Sequence, residues 1–285
     1  MREVRASGRD ALALVTELLQ RARLADPDAG LWEAADLQWW WRKPRRSDDV
    51  AQLFWLDADG PVAAVVFTDW GGHWGCDPLF VRGAGSVSIA AVWPRAVAES
   101  ESLALRDVRV LARDDDSALR ELLVSDGFAS SEEHSGSTWL DADARPAIAP
   151  LPAGFAIADR TSGASRPHPM RRRNGDEVEG RLRQCSLYDP GLDLAVETEE
   201  GAVAGYALFW FDARTKVGLV EPMRVEDAYQ RRGLARALLT EGLDRLARRG
   251  ARRLKVGFAT EPARALYTGA GFRVSETSTE YRRAR

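Results

Sequence analysis

Two stretches of the 285-residue chain combine residue types that can do chemistry: KVGLVEPMRV, residues 216–225, and QRRGLA, residues 230–235. In the second, Gln230, Arg231, Arg232, Gly233, Leu234 and Ala235 stand where a strand-like pattern gives way to a helical one. Gly233 has no side chain to keep an anion from the exposed N–H groups of a helix start, and the helix dipole favours negative charge there. Arg231 and Arg232 add positive charge, so the turn suits a phosphate or pyrophosphate; a basic loop before an ordinary helix is the competing reading. Upstream, Pro222 lacks an N–H and cannot complete a central ladder. The strand is expected to bulge or part from its neighbour near Glu221, leaving backbone groups for a ligand, although an edge strand ending at Pro222 fits equally well.

The elements around these residues are legible. After Asp227, Leu234, Leu238, Gly242 and Leu246 form one stripe, with Ala235, Leu239, Leu243 and Ala247 beside it, which predicts an amphipathic helix stopped by Gly250. ARRLKVGF reads as a strand, and TEPARALYTGAGF as a short helix capped by Thr260 with Pro262 in its first turn. The same order of signals occurs twice. LFWLDADGPVAAVVFTDW and AVETEEGAVAGYALFWFD both read as hairpins, their turn glycines Gly60 and Gly201 lying 141 residues apart, and ELLVSDGF and ALYTGAGF put Gly127 and Gly271 144 apart. A duplication follows, with the join in the proline- and alanine-rich stretch 141–154. The expectation is two α/β or α+β domains, 1–141 and 150–285.

The order of parted strand, anion turn, helix, strand and short helix resembles the GCN5-related N-acetyltransferase (GNAT) superfamily. Gln230, Gly233 and Ala235 fit its pyrophosphate signature, and Ala263, Leu266, Tyr267, Gly271 and Phe272 fit a later segment in which Thr260 replaces the usual asparagine. Together the motifs cover about residues 216–273, and the chain looks like a tandem, mycothiol synthase-like member. The resemblance implies two GNAT-like domains, each a mixed, mostly antiparallel sheet flanked by helices. It implies acetyl-CoA or another acyl-CoA as donor and an amine as acceptor, attacking the thioester directly. Pantetheine would pair with the parted strand around Met223 and Val225, with Arg231, Arg232, Leu234 and Thr260 also near the donor. Glu221 is the candidate general base, or else an ion-pair partner of an arginine, and by family position Tyr267 would aim its hydroxyl at the sulfur. A noncatalytic acyl-CoA sensor is the alternative.

In the first half Leu123 stands in the place of Tyr267, and RGAGSVSIAAVW, around Ser86, has no arginine-bearing anion turn. Residues 1–141 are therefore expected to have kept the fold and lost acyl-CoA binding, the other reading being a remodelled site using Gly83 and Gly85. The tryptophan run QWWWRKPRR, 38–46, is expected to form the wall of an acceptor pocket or a domain interface. Tyr188, Trp210, Phe211 and Tyr281 are aromatic candidates for the acceptor side, with core packing as the default. RPHPMRRR, 166–173, reads as a solvated loop entering a helix, or as an attractor for an acidic acceptor.

A formal charge of -3 argues against nucleic acid as a partner, and no run approaches the ~20 apolar residues of a membrane span. The start shows no signal-peptide pattern. His73, His134 and His168 share no ligand spacing, so no metal is expected. Cys76 and Cys185 are too few for a disulfide framework; both are expected in the core, consistent with a cytoplasmic protein. An oligomer is compatible with the sequence.

Overall fold

The computed structural model describes residues 1–28, 30–83, 87–162 and 166–284. The first half runs β1 (Arg2–Ala6), α1 (Gly8–Ala25), α2 (Ala34–Trp40), β2 (Gln52–Leu56), β3 (Pro61–Asp69), β4 (Trp74–Phe80), α3 (Ile89–Ser102), β5 (Val108–Arg113), α4 (Ser117–Ser125) and β6 (Ala129–Asp141). The second runs β7 (Phe155–Asp159), α5 (Arg171–Asn174), α6 (Val178–Leu182), β8 (Asp193–Thr198), β9 (Val203–Asp212), β10 (Val217–Val225), α7 (Leu234–Arg248), β11 (Arg253–Phe258), α8 (Glu261–Gly269) and β12 (Arg273–Arg283).

A single cut between residues 141 and 150 does not divide the chain into its two compact units. One unit is 1–37, 44–135 and 276–285; the other is 38–43 and 136–275. The reason is that two long strands each complete a sheet away from their own half. The end of β12 pairs with β5, Tyr281 opposite Val110, and the end of β6 pairs with β11, Leu140 opposite Leu254.

Both units use one plan. The first has the strand order β1-β2-β3-β4-β5-β12, antiparallel except for β4 with β5. The second has β7-β8-β9-β10-β11-β6, antiparallel except for β10 with β11. Each parallel pair is brief. Trp74 and Gly75 face Val108 and Arg109, Val217 to Leu219 face Arg253 to Lys255, and a proline follows in each case, Pro78 or Pro222. On the other side of β10, Val220 faces Phe209 but Met223 faces Ala207, so Glu221 and Pro222 form the expected bulge.

The second core forms where α7 lies on β9 and β10. A Cβ on Gly242 would come 2.0 Å from Phe209 Cζ, and one on Gly218 would come 2.8 Å from a methyl of Leu246, so glycines permit the close approach. Leu234, Leu238, Leu239, Leu243 and Leu246 are all buried beneath it, each contributing roughly 1.5–3 kcal/mol by removal from water. This packing fixes the first turn of α7 relative to β10. The first core gathers Leu53, Phe67, Trp93, Leu123, Phe128 and Tyr281. Tyr281 is thus a core residue rather than an acceptor contact, its hydroxyl taking a hydrogen bond from Arg120 Nε at 2.9 Å.

Candidate active site

The turn before α7 has the backbone that anion binding needs. Arg231 has φ 62° and Gly233 φ 86°, both left-handed, and a Cβ on Gly233 would meet nothing within 4 Å. Among the described residues, the N–H groups from Arg231 to Arg236 find no acceptor in the chain, the first helical bond running from Ala237 to the Gly233 carbonyl at 3.1 Å. Successive unengaged donors at a helix start make a concave site for negative oxygen. Leu234 is buried, so it can offer a ligand only its amide, whereas Arg231, Arg232 and Gly233 are exposed and Ala235 is half-buried. Gln230 is a brace: its Nε2 donates to the Val225 carbonyl at 3.3 Å and to Asp227 Oδ1 at 3.1 Å, tying the turn to the end of β10. Arg236 ties it to the end of α8 through the Gly269 carbonyl at 3.2 Å.

Beyond Leu219, β10 keeps its pairing with β9, Met223 opposite Ala207 and Val225 opposite Gly205, while its other edge has left β11. Met223 and Val225 therefore lie on a strand with one open edge. Glu221, at the bulge, is half-buried. Tyr267 is buried on α8, edge-on to Phe272 at 6.3 Å between ring centres. Burial, and then the charge of Glu221, raises its hydroxyl above the ordinary tyrosine value. The candidate base and candidate donor thus feel one another. Thr260 is exposed, and its hydroxyl accepts from Ala263 N–H at 3.4 Å to cap α8, as its position suggested.

Residues 38–43 of the tryptophan run, its three tryptophans included, belong to the second unit. Gln38 donates from Nε2 to Ser186 Oγ and accepts the Leu187 N–H, both at 2.8 Å; Trp41 Nε1 donates to Gln184 Oε1 at 2.8 Å. Arg42 covers Trp39 at 3.9 Å and Arg181 covers Trp41 at 3.6 Å, so these rings stack on arginines of the chain itself. The segment clamps 184–188, which carries the half-buried Tyr188. Trp210 is fully buried and Phe211 packs at the margin of the second core. RPHPMRRR is more than a solvated loop. Arg171 to Arg173 are exposed, but His168 and Met170 are buried anchors. Both cysteines are buried, which pushes Cys185 up to about 12.

In the first unit, the 144-residue spacing also sets Asp77-Pro78 on Glu221-Pro222, a correspondence that the hairpin and GF signals did not expose. Leu123 is buried where Tyr267 stands in the second unit. Gly85 and Ser86, where an anion turn was sought, lie outside the described residues; Gly83 is left-handed. Burial raises the Asp77 carboxyl to about 7, opposed by the Trp32 indole N–H at 3.0 Å. The folded chain then holds a proton that the unfolded chain has released above about pH 4. The stability this supplies is full below that pH and is lost as pH rises through 7. Asp77→Asn keeps an acceptor for Trp32 and removes the loss, up to roughly 4 kcal/mol. Thermal melts should show the variant above the parent at pH 8 and level with it near pH 4; parallel curves would disprove the buried proton.

The Acetyltransferase (GNAT) family profile matches residues 157–272, which include the turn, the bulge and Tyr267. The chain is 30% identical over 220 residues to a mycothiol acetyltransferase of Clavibacter michiganensis subsp. michiganensis, covering 71% of this chain and 68% of that one. A mycothiol acetyltransferase of Clavibacter sepedonicus is also 30% identical over 220 residues, 71% of this chain and 69% of that one. In fold the chain resembles a tandem GNAT protein from the clavulanic acid biosynthesis pathway, with TM-score 0.71 at 15% identity over 99% of this chain and 98% of that one. It also resembles a GCN5-related N-acetyltransferase from Sphaerobacter thermophilus, with TM-score 0.62 at 18% identity over 99% and 95%. The chain belongs to the GNAT family of N-acetyltransferases, in the tandem form akin to the mycothiol acetyltransferases.

Proposed function

We propose that the second unit transfers an acyl group, acetyl foremost, from coenzyme A to the nitrogen of an amine by direct attack on the thioester. The observation that carries this reading is the row of unengaged amides from Arg231 to Arg236 at the head of α7, in the same unit as the open edge of β10. The amides suit a pyrophosphate, with Arg231 and Arg232 adding charge, and the open edge at Met223 and Val225 suits the amides of pantetheine. When bound, the thioester supplies an electrophilic carbonyl, and a backbone N–H on that edge would stabilise charge developing on its oxygen.

The protein's own task is moving protons. An alkylammonium with a pKa near ~10.4 must lose a proton before its nitrogen can attack, and Glu221, directly or through water, takes it. The raised Tyr267 hydroxyl keeps its proton at neutral pH and can donate a hydrogen bond to the departing sulfur. The two buried, unreactive cysteines suit a cytoplasmic setting and leave no thiol nucleophile for a covalent intermediate. The acetyl acceptor of the mycothiol acetyltransferases is the first amine to test, beside simple alkylamines.

The test is calorimetric binding of acetyl-CoA followed by free-thiol release with an amine panel, in the parent and in Tyr267→Phe. The parent should bind and turn over. The variant should bind acetyl-CoA as the parent does and lose about a hundredfold in kcat, the lower end of a proton-transfer contribution. Binding without turnover on any amine would favour a noncatalytic acyl-CoA sensor; equal kcat would remove Tyr267 from the chemistry.

A further inference from the structure

The bulge that carries Glu221 has a single polar backbone group to anchor at its turning point. Pro222 has no N–H, so the peptide joining Glu221 and Pro222 offers only the Glu221 carbonyl, and the register shift takes that carbonyl out of the β9–β10 ladder. The Trp210 indole N–H donates to it at 2.7 Å. Trp210 faces Leu219 in the register, so its side chain reaches two residues along the partner strand to do so. Trp210 is fully buried, where an indole N–H must find an acceptor, and the bond therefore satisfies both groups.

Trp210 is itself held. Tyr188 packs against it edge to face, 6.4 Å between ring centres at 65°, and the Tyr188 hydroxyl donates to Asp193 Oδ2 at 2.9 Å. The same oxygen lies 2.8 Å from His168 Nε2. His168 Nδ1 accepts the Met170 N–H at 3.2 Å, so the proton of the neutral ring sits on Nε2 and points to Asp193. Asp193 is 1% exposed and His168 5%, which makes this a rigid anchor rather than a surface contact.

We infer that Trp210, backed by Tyr188 and Asp193, is a positioning residue for the acyl transfer: it fixes the peptide after Glu221 and thereby the direction in which the Glu221 carboxylate leaves the strand. The inference rests on the reading of Glu221 as the base. A carboxylate that must meet an amine within hydrogen-bond reach tolerates little drift, since a displacement of ~1 Å costs about a hundredfold in rate. The phosphate turn is braced separately, through Gln230 to Val225 and Asp227 and through Arg236 to Gly269, so pyrophosphate binding should not depend on the indole.

Trp210→Phe keeps a ring against Tyr188, removes the N–H and leaves a small void where the rest of the indole stood, and the comparison of the two amines separates the lost N–H from the void. Acetyl-CoA is the donor, and ethylamine and 2,2,2-trifluoroethylamine are the acceptor probes; the second is largely free base at neutral pH and has less need of a base. With ethylamine, kcat should fall by about tenfold to a hundredfold while acetyl-CoA affinity stays within about twofold. With trifluoroethylamine the deficit should shrink severalfold. Tyr188→Phe, which leaves the indole in place and cuts only the tie to Asp193, should show a smaller deficit with the same dependence on the amine. An equal deficit with both amines would make Trp210 merely structural and overturn the inference. Parent-like rates in Trp210→Phe, with Glu221→Gln impaired, would overturn it and leave Glu221 as the base. Parent-like rates in Glu221→Gln would instead remove the base assignment beneath it.

Discussion

Gly233→Asp is expected to lower acetyl-CoA affinity by at least about a hundredfold, some ~2.8 kcal/mol, while leaving the fold intact. The space a side chain would enter is open, with no atom within 4 Å of the added Cβ, so nothing in the protein is displaced. Aspartate tolerates left-handed φ better than most residues, which limits the strain at φ 86°. What it would disturb is the ligand. A carboxylate at the head of α7 would take the unengaged amides and repel a pyrophosphate from Arg231 and Arg232. Gly233→Asn separates bulk from charge and should lose less. Calorimetry with acetyl-CoA, alongside melts of both variants, decides the matter. Undiminished affinity in a folded Gly233→Asp protein would place the phosphates away from this turn, whatever the fate of the catalytic assignments.

The elements that carry this turn could be seen in the sequence because each is specified locally. The leucine stripe from Leu234 to Leu246, the stop at Gly250 and the cap at Thr260 all depend on neighbours within a few residues, and all three are where that pattern put them. Pro222 pointed to a bulge or to the end of an edge strand, because a missing N–H bars only an inner ladder position, and the register shift between Val220 and Met223 decides for the bulge. Long-range features were less visible. Nothing in the patterns of 129–141 or 273–283 reveals that each strand ends in the other half's sheet, since strand periodicity fixes a face but not a partner.

The site followed the same division. The turn was suggested by its residue types and Tyr267 by the resemblance to the family's later motif, but the roles of Gln230 as a brace and Leu234 as a core residue depend on contacts that only the fold creates. Composition alone suits the tryptophan run to a wall or an interface; its hydrogen bonds to 184–187 show which segment it holds. His168 stands in a charged stretch without metal-ligand spacing, and its partner Asp193 is 25 residues away and gives no local sign. Asp77 is the opposite case. Its match to Glu221 was available at the spacing already found between the glycines, and an aspartate-proline pair recurring opposite glutamate-proline was the signal.

Glu221→Gln should produce the other large effect, a fall in kcat of about a hundredfold to ten-thousandfold at neutral pH with acetyl-CoA affinity unchanged. Glutamine preserves the shape of the side chain and its hydrogen-bonding capacity but cannot accept the proton from an ammonium. The pH dependence then discriminates. In the parent the base lets the reaction proceed where the amine is almost wholly protonated; in the variant the rate must wait for free amine and should climb with pH toward the amine's own pKa near ~10.4. The deficit is therefore largest near pH 7 and narrows above it. Glu221 has a second expected consequence, because its charge helps to raise the Tyr267 hydroxyl. Removing that charge should let the Tyr267 pKa fall, which an ultraviolet phenolate titration of Glu221→Gln against the parent, with Tyr267→Phe to assign the signal, would detect. A parent-like rate would dismiss Glu221 as the base, and an unmoved tyrosine would show that the two groups do not share an electrostatic field.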